Sequence, residues 1–293
     1  MDAVFTLRLY GDGADFRSHF TAVHALLVEV ESALSKTCEQ SDVWRINAAR
    51  TAGDLSPHTE AVLRIALDVM RLTDGAYLPT LGAVTDLWKQ AQEDNTLPDS
   101  EQMEKDLVAA RQGFILEDGV CTILGEGALL DLGGIGKGYA VDCVLRYLEG
   151  TEVSGALLSF GSSVATFGEK GNGEPFTVGI RHPRDVDSTV GTLIAPAGVL
   201  SVSGDYERYV TVAGERYHHV LDPQTGYPTN SGIASAAVLC ESGAYSDAFS
   251  TAFLVMGRER AEALLNQGVI KAEAVFVTAE GDCFSLAQSF VKN

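Results

Sequence analysis

Hydrophobic and polar residues follow two different periods near the start of the chain. The opening residues, MDAVFTLRLYG, alternate between polar and apolar side chains, which predicts a half-buried strand. Apolar residues then recur at the spacing of a core-facing helix, at Phe20, Val23, Leu27, Val30 and Leu34. A second helix is predicted to begin at Ser56-Pro57, because serine caps a helix well and proline fits its first turn.

Short β-type runs dominate the chain after Phe114. They cover residues 127–131, 155–160, 176–180, 189–200, 206–212 and 232–239, and residues 274–286 indicate a closing hairpin. Two helices are predicted among them, at about residues 138–149 and 246–267, whereas the polar stretch 90–112 is predicted to be a surface excursion ending in a short helix. Because no βαβ rhythm, repeat or flexible linker is visible, we predict one α+β domain over residues 1–293, with a largely antiparallel sheet and packed helices.

Charge narrows the classes of ligand. The chain has 21 Lys and Arg against 40 Asp and Glu, a formal charge of -19, and no block of basic residues. This composition argues against nucleic acid as a partner, because the basic surface that follows a phosphate backbone is missing. An anionic ligand would have to be bound locally, by backbone N–H groups, one or two cationic side chains or a metal ion.

The cysteines and the hydropathy of the chain argue against further classes of protein. The five cysteines form no CxxC pair, which argues against a zinc ribbon and a complete disulfide framework. No apolar run reaches the roughly 18 residues of a membrane span. The opening residues resemble a strand and not a leader peptide, so the chain as given is expected to be soluble, and a leader or anchor removed upstream stays an open alternative.

A glycine-rich junction, DLGGIGKGYAVD at residues 131–142, carries the strongest local pattern. Its glycines let backbone N–H groups approach an anion at a helix N-terminus, and Lys137 adds a cation. It is not a Walker loop, which needs Gly where Asp131 stands and Ser or Thr where Gly138 stands. It also fails GxGxxG, because Tyr139 occupies the last position. An ordinary glycine-rich turn with a surface lysine is the alternative interpretation.

A histidine pair precedes two tight turns in YHHVLDPQTGYP, residues 217–228. Consecutive residues of a strand point to opposite faces, so one of His218 and His219 can face a cleft. The alternative is one core histidine and one surface histidine. Zinc is disfavoured, because neither HExxH nor CxxH is present.

The segment SDAFSTAFLVMG, residues 246–257, predicts a helix capped by Ser246 with oxygen-bearing side chains on one face. Asp247, Ser250 and Thr251 are spaced i, i+3 and i+4. A single carboxylate with hydroxyl or carbonyl oxygens suits a hard cation such as Mg²⁺. The alternative, an acidic first turn that complements the helix dipole, explains Asp247 but not Thr251.

The segment LSVSGDYERY, residues 200–209, contains a further serine, Ser203. Together with His219 and Asp222 it could suggest a serine-hydrolase triad, but GxSxG is absent around every serine, so this interpretation is disfavoured. Small hydroxyl side chains beside Gly204 better suit a loop that lines a pocket.

Taken in order, these segments resemble the signature blocks of the ApbE-like family, the FAD:protein FMN transferases. The blocks are DLGGIGKGYAVD, SVSGDYERY, YHHVLDPQTGYP and SDAFSTAFLVMG, and TDGAYLPTLGAVTDLW (residues 73–88) and SDVWRINAA (residues 41–49) resemble earlier ones. The resemblance implies a T-fold-like α+β domain with an FAD-binding cleft and a required Mg²⁺. It implies flavinylation of an acceptor flavoprotein: FMN is moved from FAD onto a Ser or Thr through a phosphoester bond, and AMP is released.

The resemblance also implies roles for single residues. FAD would be contacted by Met1, Ala76, Tyr77, Leu78, Asp131, Lys137 and Leu221. Mg²⁺ would be bound by the carbonyl of Gly134 and by Asp247, Ser250 and Thr251. Asp131 and Lys137 would also take part in the chemistry, with His219 as general base or phosphate contact. In so acidic a chain, the metal is expected to be needed for binding the pyrophosphate as well as for cleaving it.

Two positions depart from the family pattern. Phe160-Gly161-Ser162-Ser163 stands where a Gly-Gly pair is usual, which keeps the residues small. Thr37-Cys38 stands where some members carry a flavin-stacking aromatic residue, which is expected to loosen flavin binding or to shift the balance between transfer and hydrolysis of FAD.

Three alternative functions stay open at this point. The chain could be an FAD pyrophosphatase, a non-catalytic FAD-binding protein or a metal-dependent phosphohydrolase of another nucleotide. The resemblance adds a membrane redox-complex subunit as a candidate acceptor. It implies a location outside the cytoplasm, with a membrane anchor, if a leader was removed, and a cytoplasmic location otherwise.

Overall fold

The computed structural model describes residues 3–11, 15–194 and 198–293. Its helices are α1 Phe16–Leu34, α2 Asp42–Ala49, α3 Pro57–Leu72, α4 Gly82–Asp94, α5 Ser100–Arg111, α6 Gly136–Glu149, α7 Gly243–Met256 and α8 Arg258–Asn266. Its strands are β1 Phe5–Tyr10, β2 Thr51–Ala52, β3 Phe114–Glu117, β4 Val120–Ile123, β5 Gly155–Phe160, β6 Ser163–Gly168, β7 Thr177–His182, β8 Asp185–Ile194, β9 Val199–Gly204, β10 Tyr209–Val212, β11 Glu215–His218, β12 Ser235–Cys240, β13 Glu273–Val277, β14 Cys283–Ser285 and β15 Phe290–Lys292.

A seven-stranded sheet in the order β1-β5-β6-β9-β12-β13-β14 forms the centre of the fold. Every neighbouring pair in it is antiparallel. The α+β class with a largely antiparallel sheet, predicted from the sequence, is confirmed, as are the first strand and the closing hairpin of β13 and β14. The assignment of residues 1–293 to one domain stays a prediction.

Strand β12 is buried on both faces of this sheet. Ala236 and Val238 belong to the main core, which also includes α1, α3, α6 and α7. Ala237 and Leu239 face the opposite way, into a second core beneath the small sheet β15-β8-β7. Burial on both faces explains why residues 232–239 are almost continuously apolar instead of alternating.

Residues 90–112, predicted as a surface excursion ending in a short helix, are mostly exposed up to Gln102 and end in α5, but their first residues continue α4, which was not predicted. Helices α4 and α5 cover this region and enclose a small core of their own, made by Val84, Trp88, Met103, Leu107 and Leu221. Trp88 Nε1 also donates to the Gly226 carbonyl at 2.8 Å, which ties α4 to the turn after the histidine pair. The apolar residues are few and lie among charged ones, so the helical period was obscured.

Residues 127–131, predicted as a strand, form an extended segment outside the sheets. Its only ladder contact in the described chain is a single bridge from Leu129 to Leu81. The Asn47 side chain takes the place of a neighbouring strand, since it accepts from Leu130 N at 2.7 Å and donates to Leu130 O at 2.9 Å. An apolar run therefore reaches the glycine-rich junction without strand pairing.

Helix α7 begins three residues earlier than the sequence predicted, and Ser246 is not its cap. Ser242 is the N-cap residue, and Ser246 lies within the helix. The Ser246 hydroxyl donates to Val238 O at 2.6 Å and accepts from Ser201 N at 2.9 Å, so it fastens the helix to the sheet. No helix in the described part of the chain is both long enough and apolar enough to cross a membrane.

Candidate functional site

The glycine-rich junction folds into a loop that ends at the N-terminus of α6. Helix α6 begins at Gly136, and its cap residue Ile135 offers no side-chain hydrogen bond. Asp131 shapes the loop, because its Oδ1 accepts from Gly133 N at 2.9 Å while its own N–H donates to Pro79 O at 2.7 Å. The loop itself supplies no side-chain cap to this helix start, a place where backbone N–H groups are suited to an anion.

Lys137 and Asp247 meet at this helix start. Lys137 is 7% exposed, and its Nζ donates to Gly133 O at 2.7 Å and lies 3.6 Å from Asp247 Oδ2. The same Oδ2 accepts from Gly138 N at 3.1 Å. The structure thus joins two motifs that lie more than 100 residues apart, with one carboxylate oxygen holding the loop and the other free of hydrogen bonds within the described residues.

Helices α6 and α7 touch through their backbones at two glycines. A Cβ on Gly138 would lie 1.9 Å from Gly243 O, and one on Gly243 would lie 2.4 Å from Gly138 O. Distances under 3.0 Å to backbone atoms cannot be relieved by a side-chain movement. Glycine is therefore required on both helices for Asp247 to reach the loop.

Asp142, which the sequence analysis did not single out, caps α7 from α6. Its carboxylate accepts from Gly243 N at 2.5 Å, Ala244 N at 3.0 Å and Ser242 Oγ at 2.8 Å. Burial raises the pKa of Asp142, although these three hydrogen bonds oppose the shift. Each helix thus supplies the carboxylate that caps the other: Asp142 caps α7 and Asp247 caps α6.

Hydroxyl groups line the face of α7 that follows Asp247. Ser250 Oγ donates to Asp247 O at 2.8 Å and pairs with Ser203 Oγ at 2.8 Å, and Ser203 Oγ lies 3.2 Å from Thr251 Oγ1. A Cβ on Gly134 would lie 3.5 Å from Thr251 Oγ1, so the loop faces the same hydroxyl. The structure brings together the four residues predicted to bind the metal: Gly134, Asp247, Ser250 and Thr251.

The donor set of this cluster fits a hard cation. One carboxylate oxygen of Asp247 is free of hydrogen bonds among the described residues, and hydroxyl and backbone oxygens surround it. No three His, Cys, Asp or Glu side chains in residues 3–11, 15–194 and 198–293 are grouped for a metal ion. A cation here would depend on neutral oxygens and on ligand oxygens, as Mg²⁺ commonly does.

Lys36 is a second basic residue that the sequence analysis missed. Its Nζ lies 3.0 Å from Asp131 Oδ2 and 2.9 Å from Asp86 Oδ1. Burial alone would raise the pKa of Asp131, but Lys36 and the Gly133 N–H outweigh it and lower that pKa. A pocket of about 330 Å³ beside this ion pair is lined by Lys36, Thr37, Trp44 and Asn47, among others. Thr37, which stands where some family members carry an aromatic residue, therefore lines this pocket.

Tyr77 lies under the glycine loop, between buried Ala76 and half-buried Leu78. Its ring edge faces Gly134, since a Cβ there would lie 3.4 Å from Tyr77 Cε2. Burial, with the charges of Asp247 and Asp131, raises the pKa of the Tyr77 phenol well above its ordinary value. Its hydroxyl has no hydrogen-bond partner in the part of the chain that the structure describes.

The two histidines bind different backbone carbonyls. His218 Nε2 donates to Thr229 O at 3.0 Å, and His219 Nδ1 donates to Arg208 O at 3.1 Å. Donation from Nδ1 leaves Nε2 of His219 as the basic nitrogen. Burial of the ring and the nearby charges, including that of Lys137, lower the pKa of His219 to about 4. Because the residue as a whole is exposed, solvent screens part of this effect.

The disfavoured serine triad does not form. Ser203 hydrogen-bonds the hydroxyls on α7, and Asp222 Oδ1 accepts from Gln224 N at 2.8 Å. Leu221 packs in the core of α4 and α5 and forms a bridge with Pro228. Met1, expected to contact FAD, lies outside the described residues.

The departure at Phe160-Gly161-Ser162-Ser163 retains one glycine, Gly161, beside the site. Gly161, in the turn between β5 and β6, has φ +59°, and a Cβ there would lie 3.1 Å from Lys137 Cδ. The turn therefore borders the buried lysine, and a side chain at this position would press on it. Ser163, two residues further on, hydrogen-bonds the Ser201 hydroxyl at 2.9 Å.

Comparison with known proteins identifies the family of this chain. The model of the ApbE family matches residues 1–276. A FAD:protein FMN transferase of Klebsiella pneumoniae is 30% identical over 288 residues, which covers 96% of this chain and 88% of that protein. One of Treponema pallidum is 30% identical over 281 residues, 87% of this chain and 75% of that protein. The crystal structure of the ApbE protein from Thermotoga maritima superposes with a TM-score of 0.84 at 28% identity, covering 97% of this chain and 96% of that one. With a family match over nearly its whole length and such relatives, this chain belongs to the ApbE family.

Proposed function

We propose that this chain is a Mg²⁺-dependent FAD:protein FMN transferase, which cleaves FAD, attaches FMN to a Ser or Thr of an acceptor flavoprotein and releases AMP. One observation carries the proposal: Asp247 Oδ2 lies 3.1 Å from Gly138 N and 3.6 Å from Lys137 Nζ. A place for a pyrophosphate and a place for a cation therefore adjoin. The relatives that match over most of this chain are named FAD:protein FMN transferases.

The glycine loop and Lys137 are proposed to bind the pyrophosphate. Lys137 lies in the first turn of α6, and its Nζ is held at the loop by Gly133 O. Buried donors fixed before the ligand arrives need no rearrangement as negative charge develops on the phosphate oxygens. Asp131, held ionised by Lys36, keeps the loop in this shape.

Asp247, Thr251 and the carbonyl of Gly134 are proposed to hold Mg²⁺. Ser250 is fully buried and already donates to Asp247 O, so we assign it to orienting this set together with Ser203. When bound, Mg²⁺ supplies charge neutralisation for the phosphate oxygens and the leaving group. A local cation also offsets the formal charge of -19, which would otherwise repel FAD.

The reaction breaks the phosphoanhydride bond of FAD and forms a phosphoester bond to the acceptor. The acceptor hydroxyl oxygen bonds to the phosphorus on the FMN side, and the bond from that phosphorus to the bridging oxygen breaks, so AMP leaves. We propose that Nε2 of His219 receives the hydroxyl proton or contacts the phosphate, because Nδ1 is engaged by Arg208 O. A pKa below 6.5 keeps this nitrogen unprotonated at neutral pH.

The experiment is incubation of the protein with FAD, Mg²⁺ and a peptide that bears a candidate acceptor threonine. We expect the peptide to gain the mass of esterified FMN, one AMP to appear per modified peptide, and both products to vanish with EDTA. AMP with free FMN and an unmodified peptide would instead identify an FAD pyrophosphatase. Binding of FAD with no AMP would identify a carrier. The first peptide to test should be taken from a subunit of a membrane redox complex, the candidate acceptor.

A further inference from the structure

Tyr77 carries a buried hydroxyl that hydrogen-bonds nothing within residues 3–11, 15–194 and 198–293. The residue as a whole is 4% exposed, and its ring lies against the glycine loop. Most buried polar groups are satisfied in folded proteins, and one that is not lowers stability. An unsatisfied hydroxyl therefore indicates a place where a ligand supplies the missing acceptor.

The ring positions this hydroxyl at the loop. A Cβ on Gly134 would lie 3.4 Å from Tyr77 Cε2 and 3.5 Å from Thr251 Oγ1. Cε2 is bonded to the carbon that carries the hydroxyl, so the hydroxyl end of the ring lies near Gly134, the glycine that also faces Thr251 on α7.

The two nearby carboxylates have other partners. Asp131 Oδ1 accepts from Gly133 N and Asp131 Oδ2 pairs with Lys36, while Asp247 Oδ2 accepts from Gly138 N. The remaining oxygen, Oδ1 of Asp247, is the one proposed above for the cation. An acceptor for the phenol must then come from the anion that the loop binds.

We infer that the Tyr77 hydroxyl donates a hydrogen bond to a pyrophosphate oxygen of the bound dinucleotide, an inference that rests on the proposed function. It narrows the expectation from the family resemblance, in which Tyr77 contacts FAD, to one hydrogen bond with one part of that ligand. The ring packs under the loop, whereas the hydroxyl recognises the phosphate. Tyrosine at this position therefore selects ligands that carry a pyrophosphate.

The variant Tyr77→Phe removes the oxygen and keeps the ring. Initial rates of AMP release with Mg²⁺ give the KM for FAD, and the same assay gives the inhibition constants of ADP and riboflavin. Loss of a hydrogen bond to a charged oxygen is expected to raise the KM for FAD and the inhibition constant of ADP about tenfold or more. Riboflavin, which has no phosphate, is expected to inhibit the variant and the wild type equally.

The ligand-free proteins provide a second readout. Because Tyr77→Phe removes an unsatisfied buried group, its melting temperature should equal or exceed that of the wild type. The matched control is Tyr147→Phe. Tyr147 lies on α6, ten residues after Lys137, and its hydroxyl is 2.8 Å from His19 Nδ1. The control should melt lower than the wild type and keep its KM for FAD.

Three results would overturn the inference: an unchanged KM for FAD in Tyr77→Phe, riboflavin inhibition weakened as much as ADP inhibition, or a melting temperature below that of the wild type. The last result would show a protein partner for the hydroxyl and does not depend on activity. Failure of the proposed function is separate, since it appears as no AMP release by the wild type.

Discussion

Removal of the Asp142 carboxylate tests whether the two capped helices act as one unit. Asp142→Ala leaves Gly243 N and Ala244 N without their acceptor and Ser242 Oγ without its partner. Each such loss costs about 1 kcal/mol or more, so the three together lower the free energy of unfolding by about 3 kcal/mol. For a chain of this length, that corresponds to a fall of roughly 5–10 °C in melting temperature.

Asp142→Asn separates charge from hydrogen bonding. The amide oxygen can still accept from Gly243 N, but the amide nitrogen cannot accept from Ala244 N. Because burial raises the pKa of Asp142, loss of the charge offsets part of this cost, and we expect a destabilisation of about 1–2 kcal/mol. The order of stability is therefore wild type, then Asp142→Asn, then Asp142→Ala.

The assay that separates positioning from plain stability is the Mg²⁺ dependence of AMP release, measured below the melting temperature of every variant. A shifted start of α7 moves Asp247 and Thr251 relative to the loop, so the Mg²⁺ concentration for half-maximal rate should rise with Asp142→Ala. The control is Asp99→Ala, which removes the cap that accepts from Gln102 N at 2.8 Å on α5. It should cost about 1 kcal/mol and leave the Mg²⁺ dependence unchanged. Wild-type Mg²⁺ dependence in folded Asp142→Ala would refute the coupling of the two helices.

Three further predictions concern the same site. Gly138→Ala should abolish AMP release and lower the melting temperature, because its Cβ would meet Gly243 O at 1.9 Å; wild-type activity would contradict the close approach of the helices. Lys36→Met should raise the pKa of Asp131, so the acid limb of the pH–rate profile should move to higher pH; an unmoved limb would disconnect the ion pair from activity. His219, whose pKa is lowered to about 4, disfavours protonation in the folded state, so its contribution to stability is present above pH 6.5 and lost as the pH falls towards 4. Between pH 6.5 and pH 4, the free energy of unfolding should fall less for His219→Gln than for the wild type. An equal fall in both proteins would contradict the lowered pKa of His219.

The sequence predicted the parts of the site that are encoded locally. Glycines before a helix, together with the i, i+3, i+4 spacing of oxygen-bearing residues, indicated the loop around Lys137 and the face around Asp247 without any knowledge of the fold. What joins them is long-range. The Gly138 to Asp247 hydrogen bond spans 109 residues, and no local pattern specifies it.

Two residues were missed for related reasons. Asp142 lies beside the apolar face of an amphipathic helix, where an acidic residue next to Val141 could have indicated a buried partner, but its partners are 100 to 102 residues away. Lys36 follows the first helix in a polar stretch, where no local pattern marks it as part of a site. Similarly, residues 127–131 were predicted as a strand because they form a β-type run. The Asn47 amide that hydrogen-bonds Leu130 in place of a neighbouring strand lies 83 residues away, where no local pattern reveals it.

The most direct test of the site is AMP release from FAD by Asp247→Asn. This change keeps an oxygen that can accept from Gly138 N and removes only the negative charge proposed to hold the cation. Single-turnover measurements with Mg²⁺ should show AMP release by the wild type and none by the variant, while circular dichroism and melting show that both are folded. AMP release by Asp247→Asn at the wild-type rate would contradict the assignment of this carboxylate to the metal and to cleavage.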